Sequence, residues 1–355
     1  MSVATGSSPQ RVEVLRPDGS LAGGAEASLG GEQLREALYW MLLSRAFDER
    51  ATALQRQGRL GVYSPVLGQE AAVVGSAMAL DPGRDWIAPA YRELPALLRH
   101  GYPLERIVAG YIGKPMASRI PDEVRVLPNQ VALATQLQHA TGLAWGLKIQ
   151  HQDGVVITYF GEGASSEGDF HEACNLAGVV RAPVVFFLQN NHWAISTPRT
   201  LQSAAPTFAA RAQGYGVPGV LVDGNDLFAV HQVTREAVER ARTGEGPTLI
   251  EAQTYRMSFH NTTDNPSRYV DPSELDQART RDPIARVITY MRNRGELDEE
   301  AERNLRAEIS RRIDDAVEAA RAFPRPDAAD LFENVYEAPT PRMQAQRRQL
   351  LGGEG

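Results

Sequence analysis

The chain has 355 residues, 43% hydrophobic and 23% charged, which suffices for one large domain or two average ones and excludes global disorder. Its 44 acidic residues against 37 basic ones give a formal charge of −7, which argues against a nucleic-acid or anionic-membrane surface as its main business. A single cysteine, Cys174, excludes an internal disulfide and any cysteine-rich metal site.

Residues 1–30 are polar and rich in glycine and serine, and read as a flexible lead-in with at most one short strand at Val12–Leu15. They lack the apolar core of a signal peptide, and no later run reaches membrane-spanning length. The expectation is a soluble, cytoplasmic protein. Leu34, Leu38, Met41, Leu42 and Phe47 recur at helical spacing between Glu32 and Arg56. Gly68-Gln69-Glu70-Ala71-Ala72 opens a second helix, ended before Asp81-Pro82-Gly83. Trp86-Ile87-Ala88 predicts a short strand, and helical patterns follow to about Tyr111. Residues 112–130, with three prolines and no period, predict a loop. Leu137 to Ile149 predicts a helix.

Val155 to Phe160 is a continuous β-branched and aromatic run, the mark of a strand buried on both faces. A glycine-rich loop, Gly161 to Gly168, follows, and Asp169 is expected to cap a helix that Pro183 stops. Val184 to Leu188 is a second buried strand. Val220-Leu221-Val222, a helix from Asp226 to Arg242, and Thr248 to Ala252 repeat the rhythm. The fold class is therefore α/β, a parallel sheet with helices on both faces. The division is a flexible segment 1–30, an α/β domain 31–275, and a helical C-terminal extension and tail 276–355. Within the extension Leu305, Ile309, Ile313, Val317 and Ala320 form one apolar stripe.

Ligands collect at the carboxyl ends of parallel strands. Two loops there carry chemistry. In Gly161-Glu162-Gly163-Ala164 the glycines admit an anion to backbone N–H groups, and Glu162 offers a hard oxygen. Gln189-Asn190-Asn191-His192-Trp193 follows the next strand and offers amide oxygens. A carboxylate, an amide oxygen, a carbonyl and phosphate oxygens together suit octahedral Mg²⁺ better than zinc. Alone, each loop reads better as a plain turn or cap. Their joint placement at the ends of adjacent strands is far more specific. Cys174 reads as a core thiol, and His100, His139, His151, His171, His192 and His231, with no paired metal spacing, as structural.

Gly161-Glu162-Gly163 running to Asn190-Asn191 resembles the thiamine-diphosphate motif that begins Gly-Asp-Gly and ends Asn-Asn. With Arg56 to Leu60, Gly68 to Ala71, Tyr91-Arg92-Glu93-Leu94, Leu221 to Asp226 and Gly246 to Glu251, the chain over roughly 30–330 resembles the alpha subunit of the decarboxylating component of 2-oxo acid dehydrogenases. The resemblance implies a thiamine-diphosphate-binding fold, its diphosphate-binding half, and Mg²⁺ held by Glu162, Asn191 and the Trp193 carbonyl. It implies that Tyr91 and Arg92 grip the diphosphate, that Gly163, Ala164 and Gln189 line it, and that the Leu133 backbone lies beside the aminopyrimidine. His260 would contact the cofactor's reacting ring and aid acyl transfer to lipoamide; the plain alternative is a loop histidine bonded to backbone. Most relatives carry Asp where Glu162 stands, and Gln130-Val131-Ala132 replaces the Ser-Ser-Pro that some use for a monovalent cation. Asn261, Asn265 and Val270 depart from the usual Ser or Thr, Asp and Arg.

The implied partners are a beta subunit, in an assembly of two alpha and two beta chains, and a lipoyl-bearing acyltransferase core. The beta chain would contribute the glutamate that ionises the cofactor. The implied substrate is a small 2-oxo acid. Val126-Leu127-Pro128 slightly favours pyruvate, and Val222 to Asp226 equally suits branched-chain 2-oxo acids. Acetoin-cleaving enzymes share the motifs, and a non-catalytic homologue serving as a binding or regulatory partner is the rival from a different class.

Overall fold

The computed structural model describes residues 9–333 and 335–352. Helix α1 (Gly31–Arg56) and α2 (Glu70–Met78) precede strand β1 (Trp86–Ala88). Helices α3 (Leu94–Arg99), α4 (Leu104–Tyr111) and α5 (Thr135–Ile149) follow, the proline-bearing stretch between the last two being loop as expected. Strand β2 (Val156–Gly161), α6 (Gly168–Val180) and β3 (Val184–Asn190) form a strand–helix–strand unit. Two-residue strands β4 (Trp193–Ala194) and β5 (Thr197–Pro198) pair as a small antiparallel hairpin. Then come β6 (Gly219–Asp223), α7 (Leu227–Arg242) and β7 (Thr248–Gln253).

The main sheet has the order β1-β2-β3-β7-β6 and every pairing is parallel. Such a sheet is buried on both faces, which is why its strands read as continuous apolar runs. Side-chain alternation divides the core. Ile157, Tyr159, Val185, Phe187 and Ile250 face a layer built by α1, α2 and α7, whereas Val156, Phe160, Val184, Phe186 and Leu249 face α5 and α6. Helices α8 (Pro272–Arg279), α9 (Pro283–Asn293) and α10 (Glu299–Ala322) form the C-terminal extension. The α10 stripe Ile309, Ile313 and Val317 joins the first of these layers, so the extension shares the core of the sheet. Two further helices, α11 (Asp330–Glu333) and α12 (Pro341–Leu351), have no buried residue. No described helix is long and apolar enough to cross a membrane.

Two expectations need correction. Asp169 makes no cap; it lies in the first turn of α6, whose N-cap is Glu167 with no side-chain cap bond. The flexible lead-in is packed where it is described, residues 1–8 lying outside the described residues. Val12 bridges to Val222, extending the β6 edge, and Val14 and Leu15 are buried. The cause is Asp226. One carboxylate oxygen accepts from the Val14 and Leu15 N–H groups and the other from Phe228 and Ala229, capping α7. Buried Arg286 completes the dock through the Leu15 carbonyl and Asp223.

Candidate active site

Every site residue expected from the sequence lines one cavity of about 1390 Å³: Tyr91, Arg92, Leu133, Glu162, Gly163, Ala164, Gln189, Asn191, Trp193 and His260. The sheet explains the convergence. Segments that follow β1, β2, β3 and β7, four consecutive strands, meet at their carboxyl ends. Gly161 at the end of β2 pairs with Gln189 of β3, which brings Glu162 beside Asn191. The Asn191 N–H points at a Glu162 carboxylate oxygen, 3.3 Å away. The preceding Asn190 turns the other way and donates to Glu251 at 2.7 Å. Alternation along the strand therefore gives one asparagine to the site and one to the scaffold.

Glu162 is 1% exposed, and its other carboxylate oxygen has no hydrogen-bond partner. Burial pushes its carboxyl up to about 7, against the opposing backbone donors and the more distant Arg256 and Arg92. A cation at that oxygen would supply the missing counter-charge. Gln69, Gln136 and Gln189 also line the cavity with a buried polar atom that lacks a partner. The Asn191 side-chain amide donates to Gln69 at 3.1 Å, leaving its oxygen to the Trp193 N–H. The Trp193 carbonyl accepts from Arg256 at 3.0 Å and keeps a second lone pair. Arg256 also donates to the Ile195 carbonyl at 2.6 Å, so this buried guanidinium holds the β4–β5 hairpin against the site. Among the described residues no three His, Cys, Asp or Glu side chains gather as a metal cluster. The donor set here has a single carboxylate, complemented by amide and carbonyl oxygens.

Across the cavity, Arg92 donates to the Pro65 carbonyl and, at 3.1 Å, to the His260 carbonyl. It also lies 3.3 Å from the His260 Nδ1 and 5.5 Å from the centre of the Tyr91 ring. The His260 N–H donates to Asp264 at 2.7 Å, and the Tyr91 ring stands edge-on to the imidazole. Burial, then the neighbouring Arg92 and Arg256 cations, push the imidazole down to about 4. It is therefore neutral at pH 7. Leu133 sits on the rim, 44% exposed, just before Ala134 in a left-handed conformation.

Sequence reading assigned no role to Glu93, Gln69, Gln136 or Arg256. Glu93 is buried and accepts from Ala90 N–H, Arg92 N–H and the Gln189 amide at 2.8–3.0 Å, fixing both the arginine turn and the glutamine. Its position beside Tyr91-Arg92 was visible, but its partner Gln189 lies 96 residues away.

A model of the family described as "Dehydrogenase E1 component" matches residues 39–329, and the chain belongs to that family. Enzymes of this family depend on thiamine diphosphate. The chain is 41% identical over 343 residues to the 3-methyl-2-oxobutanoate dehydrogenase subunit alpha of Mycobacterium tuberculosis, covering 96% of this chain and 93% of that one. It is 38% identical over 330 residues to the pyruvate dehydrogenase E1 component subunit alpha of Bacillus cereus, covering 92% and 89%. A pyruvate dehydrogenase E1 alpha subunit of Staphylococcus aureus is likewise 38% identical over 330 residues.

Proposed function

We propose that this chain is the alpha subunit of a cytoplasmic 2-oxo acid dehydrogenase that decarboxylates its substrate with thiamine diphosphate and passes the acyl group to lipoamide. The observation that carries the reading is the buried, half-unpartnered Glu162 carboxylate beside Asn191, with Arg92 and His260 across the same cavity. Glu162, the Asn191 side-chain oxygen and the Trp193 carbonyl would hold Mg²⁺, a hard cation suited to oxygen ligands. Arg92 and Tyr91 would grip the diphosphate, the guanidinium through charge-assisted bonds. Gly163, Ala164 and Gln189 would line it, and the Leu133 backbone would flank the aminopyrimidine. Thiamine diphosphate supplies an ylid and an electron sink when bound. His260, neutral and half-buried, can accept or return a proton during acyl transfer.

The partner proposed is a beta subunit, two alpha with two beta, docked on a lipoyl-bearing acyltransferase core. Five exposed apolar side chains at the cavity, Val62, Val131, Leu133, Ile195 and Leu201, support a covering protein surface. The test is to assay the alpha chain alone and with its beta partner against pyruvate, branched 2-oxo acids and acetoin. The expected result is no turnover by the alpha chain alone and decarboxylation of a 2-oxo acid by the pair. Turnover by rigorously purified alpha chain would refute the division of labour, and a pair that binds cofactor but turns over none of these substrates would favour a non-catalytic role.

A further inference from the structure

Asp48 lies on α1, 5% exposed, and does not line the cavity. One of its carboxylate oxygens accepts from the Tyr63 hydroxyl at 2.6 Å. The other accepts from the backbone N–H groups of Val66 and Leu67 at 2.8 and 2.9 Å. A single side chain thus holds the whole 63–67 segment.

That segment meets the site in three places. The Pro65 carbonyl accepts from the Arg92 guanidinium. The Thr262 N–H donates to the Tyr63 carbonyl at 2.9 Å, and the Tyr63 N–H to the Thr262 hydroxyl at 3.2 Å. The Met257 N–H donates to the Leu67 carbonyl at 3.2 Å. His260 lies between the two anchored positions 257 and 262. The close approach is built in: a Cβ on Gly68, at φ +91°, would lie 2.3 Å from the Tyr255 carbonyl oxygen.

We propose that Asp48 is a positioning residue for Arg92 and His260, acting through the 63–67 segment that it anchors. The inference rests on the thiamine-diphosphate reading for its consequence, but its mechanical part does not. Without the carboxylate, three donors lose their acceptor in a place closed to water, and the segment must shift to satisfy them. Arg92 and the 257–262 loop are bonded to that segment and shift with it. Misplacement of reacting groups by about 1 Å can cost about a hundredfold in rate.

The geometry also predicts which substitution is best tolerated, since asparagine keeps an acceptor for both backbone N–H groups and only the Tyr63 O–H loses its acceptor. In Asp48→Asn the amide oxygen can take the place of the oxygen bonded to both N–H groups. The amide nitrogen then donates to the Tyr63 hydroxyl oxygen. Asp48→Ala can do neither. Leu147→Ala, a core truncation on the opposite face of the sheet, serves as the control for general destabilisation.

The first readout is amide hydrogen exchange on the apo chain, which needs no cofactor. Asp48→Ala should speed exchange at Val66, Leu67, Met257 and Thr262, Asp48→Asn should restore protection, and Leu147→Ala should leave these amides as in wild type. The second, on the alpha–beta assembly, is lipoamide acylation and thiamine diphosphate affinity. Asp48→Ala should lose about tenfold to a hundredfold in acylation rate and bind cofactor more weakly, with Asp48→Asn near wild type. Unchanged exchange at the 257 and 262 amides in Asp48→Ala would overturn the proposal. So would an activity loss matched by Leu147→Ala or not recovered in Asp48→Asn. Failure of wild type to bind cofactor would instead sink the functional reading, with the exchange result still deciding the coupling.

Discussion

His260 shares its surroundings with two guanidinium groups, and burial, helped by those cations, keeps its imidazole neutral at pH 7. A neutral imidazole can accept and return a proton, the exchange that would accompany reductive acylation of a lipoamide disulfide, in which the S–S bond breaks, one sulfur takes the acyl group and the other is left as a thiol. Its backbone is tied at both ends, by the Asp264 carboxylate to its N–H and by Arg92 to its carbonyl, so the ring's removal need not disturb the loop. His260→Ala in the alpha–beta assembly should retain cofactor binding and decarboxylation with an artificial electron acceptor. Lipoamide acylation should fall by about 100- to 10,000-fold. If both rates stay near wild type, the histidine is only a backbone-bonded loop residue. At this scale the sequence singled out Glu162 and Asn191 through a motif at strand ends, and Arg92 and His260 through the family resemblance, and the four line one cavity. It disclosed nothing of Arg256 or Asp48, since a residue whose work is to hold a carbonyl or N–H from a distant segment leaves no local pattern.

The buried strands were legible as elements because parallel strands covered on both faces read as near-continuous apolar runs, with the few buried polar residues, such as Asn190 and Glu251, hydrogen-bonded to one another. The N-terminal segment was not. Its composition is that of a linker, and the acceptor that orders it, Asp226, lies 211 and 212 positions away along the chain. The functional loops depend on contact between elements as much as on the elements. The loop after β2 touches the β4–β5 hairpin so closely that a Cβ on Gly163 would lie 2.7 Å from the Ala194 Cβ. Ala194 belongs to the hairpin that Arg256 clamps, so it cannot simply swing aside. Gly163→Ala should therefore separate the loop from the hairpin at an overpacking cost of about 1–3 kcal/mol. Calorimetry should show thiamine diphosphate binding weakened by about tenfold or more; unchanged affinity would mean that this close contact does not shape the diphosphate cradle.

At the scale of the molecule, the segments after four strands bring Glu162, Asn191, Arg92 and His260 to a single cavity whose rim carries exposed apolar side chains. The C-terminal extension packs into the same core as the sheet, so the scaffold behind those strand ends continues through α10. The cavity is proposed to hold thiamine diphosphate through a cation bound by Glu162 and Asn191. Calorimetric titration of thiamine diphosphate into the alpha–beta assembly, with and without Mg²⁺, tests it on wild type, Glu162→Ala and Asn191→Ala. Wild type should bind in a Mg²⁺-dependent manner and both variants should lose that binding, with melting behaviour showing that each remains folded. Unchanged affinity in the two variants would contradict the proposal.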